Sequence, residues 1–574
     1  MDYSIKIGGE AGQGLQTVGN TLAKVFSRFG YHVFTHQDYE SRIRGGHNYY
    51  QVRLSDKPVM ASRDKIDILV ALDKESISLH EKELSENGQI IYDSSSAAEI
   101  HDKTNFLDIP FEKLSLEFSG SKIMANTVAI GAVLGMLGLK LDVLLGIISD
   151  TFENKGHDII TANIKAARAG HDFAVKQCDG CSFSTTPGSN PKMLVNGVDA
   201  IGLGALSGGC KFYAAYPMTP ATGVMLYMAS KAEEYGVIVE QAEDEVAAIN
   251  MVLGASFAGV RAMTGTSGGG FALMVEGLSL AGMTETPVVI ALGQRPGPAT
   301  GFPTRTEQGD LLFALHAGHG EFPRVIFAPG TPEQLFYLTN KAFDLAEKYQ
   351  IPALMIFDHY LADAEWTYDG FDLKKIKYTD YRIRGDAFKS LLAYKRHAFT
   401  NTGVSALGIP GDSTHVVVTD SDEHDEDGHM VEDAETRKKM INKRLFQKLP
   451  LIKQEMEPPT IYGDRTPEIV IVGWGSTYGV MKEAVDVLST SKSIAMLHFS
   501  EVYPLPSTAK GDFLRLLSGA KQTICIENNA TGQFEHLLKA EVGYVFNAHC
   551  NKYDGRPFIL EELLGELNAH IGRI

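Results

Sequence analysis

Short β-rich runs alternate with helical runs along most of this chain, and that alternation leaves few folds open. Tyr3–Gly8 reads as a strand, Gly9–Gly14 as a glycine turn and Leu15–Phe29 as an amphipathic helix. His32–Thr35, Ile68–Leu72 and Gln89–Tyr92 read as further strands, and Asn126–Leu137 (NTVAIGAVLGML) as a small-residue helix able to pack closely. The same pattern returns from Gly197 to Asp363, with strands expected at Phe212–Ala215, Val237–Glu240, Arg261–Thr264, Val288–Leu292, Arg324–Ala328 and Pro352–Phe357. Pro332 opens a helix reaching Lys348, with Thr331 as its N-cap. A third stretch from Pro467 alternates again: strand Ile469–Gly473, helix Thr477–Leu488, strands Ser493–Phe499 and Thr523–Glu527. Strand–helix–strand units predict an α/β protein of several doubly wound, mostly parallel sheets.

At 574 residues the chain is too long for one core, so several domains are expected. The boundaries read as a domain over 1–176, a linker over 177–192, a domain over 193–365, an extended excursion over 366–462 and a domain over 463–574. The linker, QCDGCSFSTTPGSNP, is rich in Gly, Ser, Thr and Pro. The excursion is polar, without clear periodicity, and carries one expected helix, Asp433–Leu449. Its acidic run Glu423–Gly428 fails as a calcium loop: aligning Gly428 on position six puts Ala434 where the bidentate Glu belongs. It reads as a solvated loop.

No run of 18 apolar residues spans a bilayer, and the start MDYSIKIGGEAGQG lacks a signal-peptide pattern. The expectation is a cytoplasmic protein without a membrane partner. A net charge of −18 argues against nucleic acid. The five cysteines include one C-x-x-C, Cys178 and Cys181, which reads as two linker thiols rather than a metal or redox pair. They cannot ligate an iron–sulfur cluster by themselves, and no metal site is expected on this chain.

Several loops carry chemistry. Ala215-Tyr216-Pro217-Met218-Thr219-Pro220 is a turn stiffened by two prolines, which holds the Tyr216 and Thr219 hydroxyls in set directions. Glu243, Asp244 and Glu245 place carboxylates at the start of an apolar helix reaching about Gly259; helix-end electrostatics alone would also favour them there. Thr264-Gly265-Thr266-Ser267-Gly268-Gly269-Gly270 follows a strand and lets a phosphate or planar ring approach the backbone. Gln294-Arg295-Pro296-Gly297-Pro298 presents Arg295 at a strand's carboxyl edge, fit for a carboxylate or for a structural salt bridge. Gly9–Gly14 has the spacing G-x-x-G-x-G, which departs from the dinucleotide fingerprint. It reads as a tight turn or a phosphate cradle. Ser41-Arg42-Ile43-Arg44-Gly45-Gly46-His47 reads as a solvated loop or, with that turn, one edge of a nucleotide-type site.

Taken in order, these motifs resemble the fused γ–α subunit of 2-oxoacid:ferredoxin oxidoreductases, most closely the 2-oxoglutarate type. GGEAGQG and SRIRGGH are similar to the γ opening motifs, AYPMTPAT to a YPITP-type loop with Met218 for Ile, and QRPGPATGFPT to the family's arginine loop. EHDEDGH and Glu527-Asn528-Asn529-Ala530-Thr531-Gly532-Gln533 also have counterparts. The resemblance implies a γ-type domain at 1–176, a thiamine pyrimidine-binding domain at 193–365 and a transketolase C-terminal-like domain at 463–574.

By the same resemblance, Glu245 is the carboxylate at the ring nitrogen of thiamine diphosphate, with Glu243 as fallback. It favours the tautomer that takes the C2 proton. Pro217, Thr266 and Ser267 would line the cofactor. Tyr216, Thr219 and Arg295 would bind the 2-oxoacid, and Gly12, Gln13, Gly14, Ser41, Arg42 and Arg44 would bind coenzyme A as co-substrate. No Gly-Asp-Gly occurs in the chain. The resemblance therefore puts the diphosphate, Mg2+ and a [4Fe-4S] cluster on a β subunit in an (αβ)2 assembly that reduces ferredoxin. The implied reaction is CoA-dependent oxidative decarboxylation, 2-oxoglutarate giving succinyl-CoA and CO2, or its reverse. Two alternatives stay open: a nonoxidative thiamine ketolase or decarboxylase, distinguished by a partner without cluster cysteines, and a noncatalytic nucleotide-binding scaffold, distinguished by indifference to loss of Glu245.

Overall fold

The computed structural model describes residues 1–42, 45–97, 103–177, 183, 185–188 and 190–572. These form two compact units. The first comprises Met1–Val195, Asp363–Phe371 and Ile559–Glu562, the second Asn196–Ala362, Asp372–Phe558 and Leu563–Ile574. Cys178 and Cys181 lie outside the described residues, as does Arg44.

The first unit is built on an eight-stranded sheet ordered Phe106–Asp108, Leu84–Tyr92, Ile66–Ala71, Asp2–Glu10, His47–Ser55, His32–Asp38, Trp366–Tyr368, Met193–Val195. Its first four strands pair in parallel and the rest antiparallel. The sheet is therefore mixed, a correction to the mostly parallel expectation. The cause is His47–Ser55, a strand not expected from the sequence, which pairs antiparallel with both neighbours; Tyr50, Val52 and Leu54 enter the core and the alternating polar side chains are buried on the other face. Gln51 donates to Ser4 Oγ at 2.7 Å, and Arg53 forks onto Asp2 at 2.7–2.9 Å while reaching the Ala61 carbonyl at 2.7 Å. These partners remove the cost of burying them. Helices Ala125–Met136 and His157–Gln177 cross in near backbone contact: a Cβ on Gly131 or Gly170 would strike the carbonyls of Ala167 or Val128.

The second unit holds two sheets. The larger is ordered Glu501–Tyr503, Val325–Phe327, Pro352–Asp358, Val288–Gln294, Arg261–Ser267, Cys210–Ala215, Ile238–Gln241, parallel except for the first strand. The smaller is ordered Thr460–Gly463, Ile494–Phe499, Ile469–Trp474, Gln522–Glu527, Ala548–Asn551, parallel except for its first strand. One apolar core includes Leu292 and Ile356 of the larger sheet with Val472, Trp474 and Leu497 of the smaller. The central strands Val288–Gln294, Pro352–Asp358, Ile469–Trp474 and Ile494–Phe499 are buried throughout and largely apolar, as sheets covered by helices on both faces require. Thr331 caps Pro332–Tyr349 as expected, its hydroxyl accepting from Gln334 N at 3.1 Å.

The excursion departs from expectation in two ways. Its helix does not stop at Leu449: Ala434–Ile441 passes through a π-helical stretch, Asn442–Gln447, into Lys448–Glu455. Pro450 lacks an N–H, and a wider turn just before it accommodates the interrupted ladder. The acidic run Asp420–His429 is only partly solvated: Asp422, Asp427 and His429 are exposed, but its middle is folded against the protein. His424 is fully buried and bridges to Met430, while Glu423 pairs with Arg444 and Arg437. Burial pushes the Glu423 carboxyl up, but the two guanidinium groups outweigh it and hold it below its ordinary value.

Candidate active site

In the larger sheet the strand order reverses beside Cys210–Ala215: Ile238–Gln241 lies on one side and Arg261–Ser267 on the other. Loops leaving such a point diverge and open a crevice at the carboxyl ends of the strands. Three of the singled-out motifs leave the sheet there. Tyr216–Pro220 follows Cys210–Ala215, Gly268–Gly270 follows Arg261–Ser267, and Arg295 follows Val288–Gln294.

Glu245 is the first residue of helix Glu245–Phe257, capped by Asp244, whose carboxylate accepts from Ala247 N at 2.7 Å. The cap aims Asp244 at the helix start and turns Glu245 inward. Glu245 is 4% exposed, whereas Glu243 faces solvent. Glu245 Oε1 is buried without a hydrogen-bond partner. Opposite it stands Gly270, where an added Cβ would collide with both Glu245 Oε1 and Thr266 Oγ1. A buried carboxylate oxygen lacking a donor, facing a spot kept clear by a glycine, fits a ring nitrogen that shares a proton with it. Thr266 and Ser267 are fully buried, and Ser267 Oγ also lacks a partner.

Arg295 Nη1 donates to the Thr219 carbonyl at 2.9 Å, tying the arginine loop to the proline-stiffened turn. Two residues missed from sequence complete this corner. Asp310 N donates to Gln294 Oε1 at 3.0 Å, and its carboxylate lies against Gly268 with Oδ2 buried and unpaired. Burial pushes Asp310 up to about 6, with Arg295 pulling the other way; burial likewise lowers the Arg295 guanidinium. Gln308 is the second. It donates to the Trp474 carbonyl at 2.8 Å and accepts from Asn528 N at 2.9 Å, while Asn529 Nδ2 reaches the Gln308 carbonyl at 3.1 Å. The Glu527–Gln533 motif thus braces the loop that presents Asp310: Glu527 is fully engaged by Trp474, Asn529 and the backbone of Phe534 and Glu535. Asp310 alone reads as a helix cap, and only the spatial meeting with Arg295 marks it.

Tyr216, Val246, Leu273 and Phe302, in or beside the segments carrying these motifs, are apolar side chains 41–58% exposed.

In the first unit, Gly12 and Gly14 take positive φ, and Gly14 caps Leu15–Arg28 without a side-chain bond, leaving its first N–H groups open. Cavities of about 360 and 390 Å3 flank this turn, the first reaching Arg42, the second lined by Gln13. Gln13 Oε1 accepts from Glu10 N at 2.7 Å, and Arg42 Nε pairs with Glu40 at 2.6 Å. Ser41 is exposed at the hairpin tip.

Residues 203–443 match the family described as pyruvate flavodoxin/ferredoxin oxidoreductase, thiamine diP-bdg, and residues 4–173 the family described as pyruvate ferredoxin/flavodoxin oxidoreductase. The chain is 32% identical to a 2-oxoacid:ferredoxin oxidoreductase subunit alpha of a Sulfolobus species, across 98% of this chain and 96% of that one. It is 27% identical to a 2-oxoglutarate oxidoreductase subunit of Mycobacterium tuberculosis, across 97% and 90%. Among solved structures, a 2-oxoglutarate:ferredoxin oxidoreductase from Magnetococcus marinus, with 2-oxoglutarate, coenzyme A and succinyl-CoA bound, superposes with a TM-score of 0.91. The identity is 30%, over 99% of each chain.

Proposed function

The chain belongs to the 2-oxoacid:ferredoxin oxidoreductase alpha-subunit family, and from that membership we propose that it holds the pyrimidine ring of thiamine diphosphate and the carboxylate of a 2-oxoacid. The reaction proposed is oxidative decarboxylation with coenzyme A, 2-oxoglutarate giving succinyl-CoA and CO2, or the reverse. The electron pair leaves one electron at a time toward ferredoxin. The carrying observation is the unpaired, buried Glu245 Oε1 facing Gly270 at the switch point of the sheet.

Thiamine diphosphate, when bound, supplies the carbon nucleophile and electron sink that protein side chains lack. Glu245 holds a proton between Oε1 and the ring nitrogen, in a dry site where that hydrogen bond is strong. Pro217, Thr266 and Ser267 would line the ring. Arg295, steadied by the Thr219 carbonyl, binds the substrate carboxylate through its remaining N–H groups, and the Thr219 and Tyr216 hydroxyls orient the keto end. Asp310 tempers the charge of that clamp: ionised, it repels an anionic 2-oxoacid, and protonated it does not. Coenzyme A is placed on the first unit, its phosphates at the Gly12-Gln13-Gly14 turn and near Ser41 and Arg42, with Arg44 retained from the motif.

The lack of Gly-Asp-Gly, the scattered cysteines and the exposed apolar side chains Tyr216, Val246, Leu273 and Phe302 support a β subunit bringing the diphosphate site, Mg2+ and a [4Fe-4S] cluster in an (αβ)2 complex. We also propose that the domains follow the 1–176, 193–365 and 463–574 division. The test is reconstitution with the partner subunit, followed by dye or ferredoxin reduction. Reduction that needs both a 2-oxoacid and coenzyme A is expected, with 2-oxoglutarate preferred over pyruvate. Reduction without coenzyme A, or with no 2-oxoacid at all, would overturn the reading.

A further inference from the structure

Far from the thiamine crevice in sequence, the edge of the smaller sheet carries a set of side chains for which the proposed reaction has no use. Cys550 lies on the edge strand Ala548–Asn551, and Glu566 and His570 lie on the helix Leu560–Ile571. Four residues apart, the latter two share one helix face. One donor atom from each of the three lies within 4.8 Å of the other two. Cys550 is 3% exposed, a free thiol with no disulfide, and its side chain points into the group. No hydrogen bond or ion pair engages any of the three side chains among the described residues.

We propose that Cys550, Glu566 and His570 form a zinc site that clasps the helix to the sheet edge. A thiolate, an imidazole and a carboxylate are the donors zinc takes in tetrahedral sites, and three protein ligands leave a fourth position for water or an added ligand. Calcium and magnesium, which want oxygen donors throughout, fit this set poorly. Without a cation Cys550 is a free thiol. Binding is therefore an exchange: the metal–sulfur bond forms, the S–H bond breaks, and the proton leaves to solvent, with no change of oxidation state. The edge strand gains by it, since a second tie to the covering helix shields an edge that would otherwise present unpaired backbone groups.

The test uses the full-length chain stripped with a chelator and titrated with Co2+ as the spectroscopic probe, then with Zn2+ in competition. A thiolate-to-cobalt charge-transfer band is expected, saturating at one equivalent and abolished by zinc. Cys550→Ser should remove the band. Glu566→Gln, on an exposed side chain that folding does not need, should weaken Co2+ binding by about 10-fold or more, the scale of loss seen even for outer-shell changes. Zinc content of the complex purified with its partner gives a second measure: zinc is expected in the wild type and depleted in Glu566→Gln. A band that never appears, one that survives Cys550→Ser, or equal zinc in wild type and Glu566→Gln would overturn the site.

Discussion

Arg295 and Asp310 form an acid–base corner whose behaviour follows from charge and burial. An arginine fork offers a carboxylate paired donors that a lysine cannot reproduce. Arg295→Lys should therefore raise the KM for the 2-oxoacid about 10-fold, the worth of one charge-assisted hydrogen bond, with kcat changed less. Asp310 is pushed up to about 6 by burial. Above that pH it is ionised and opposes an anionic substrate; below it the charge is gone. KM should thus fall as pH drops through about 6, and Asp310→Asn should hold KM at the low value across the range. A variant whose KM keeps the wild-type inflection would remove Asp310 from the clamp. Glu245, Thr219 and Arg295 could be proposed from the sequence because each sits in a motif with a resemblance to carry it. Asp310 and Gln308 were not, since their meaning lies in neighbours brought together only by folding.

At the scale of elements, the excursion is fastened by charge. Glu285 is 1% exposed and pairs with Lys443 and Lys448, both equally buried, and with His397 Nδ1 at 3.1 Å. Burial works against ionisation of Glu285, but the two ammonium groups outweigh it and hold it well below its ordinary value. Burial lowers Lys443 to about 7. Removing one member of such a cluster leaves buried charge without compensation. Glu285→Gln should destabilise the second unit by about 3–5 kcal/mol, read as a lower urea midpoint, whereas an unchanged midpoint would show the pairs to be idle. None of this was readable from the sequence, which placed one helix over Asp433–Leu449 and gave Lys443 and Lys448 no partner. The strand His47–Ser55 was missed although Tyr50, Val52 and Leu54 alternate with Gln51, Arg53 and Ser55; that the polar set is buried too, through its hydrogen-bond partners, shows only in the fold. The central parallel strands of the second unit, such as Val288–Gln294, Pro352–Asp358 and Ile469–Trp474, are apolar and were legible nearly to their ends, whereas the edge strand Ala548–Asn551 was missed.

Across the whole molecule, the proposed chemistry divides between this chain and a partner. On this proposal the chain supplies Glu245 as proton-sharing carboxylate and Arg295 as anion clamp, and its sequence contains no Gly-Asp-Gly and no cluster-forming cysteine set. The chain by itself should show no 2-oxoacid turnover with any added coenzyme A, and turnover should appear on adding the partner. The most direct measurement is the rate at which the C2 proton of thiamine diphosphate exchanges with deuterated water in the reconstituted complex, comparing wild type with Glu245→Gln at equal cofactor occupancy. The account predicts slowing by roughly 10²–10⁴-fold, the range of a positioned acid–base group. Exchange at the wild-type rate in Glu245→Gln would contradict it.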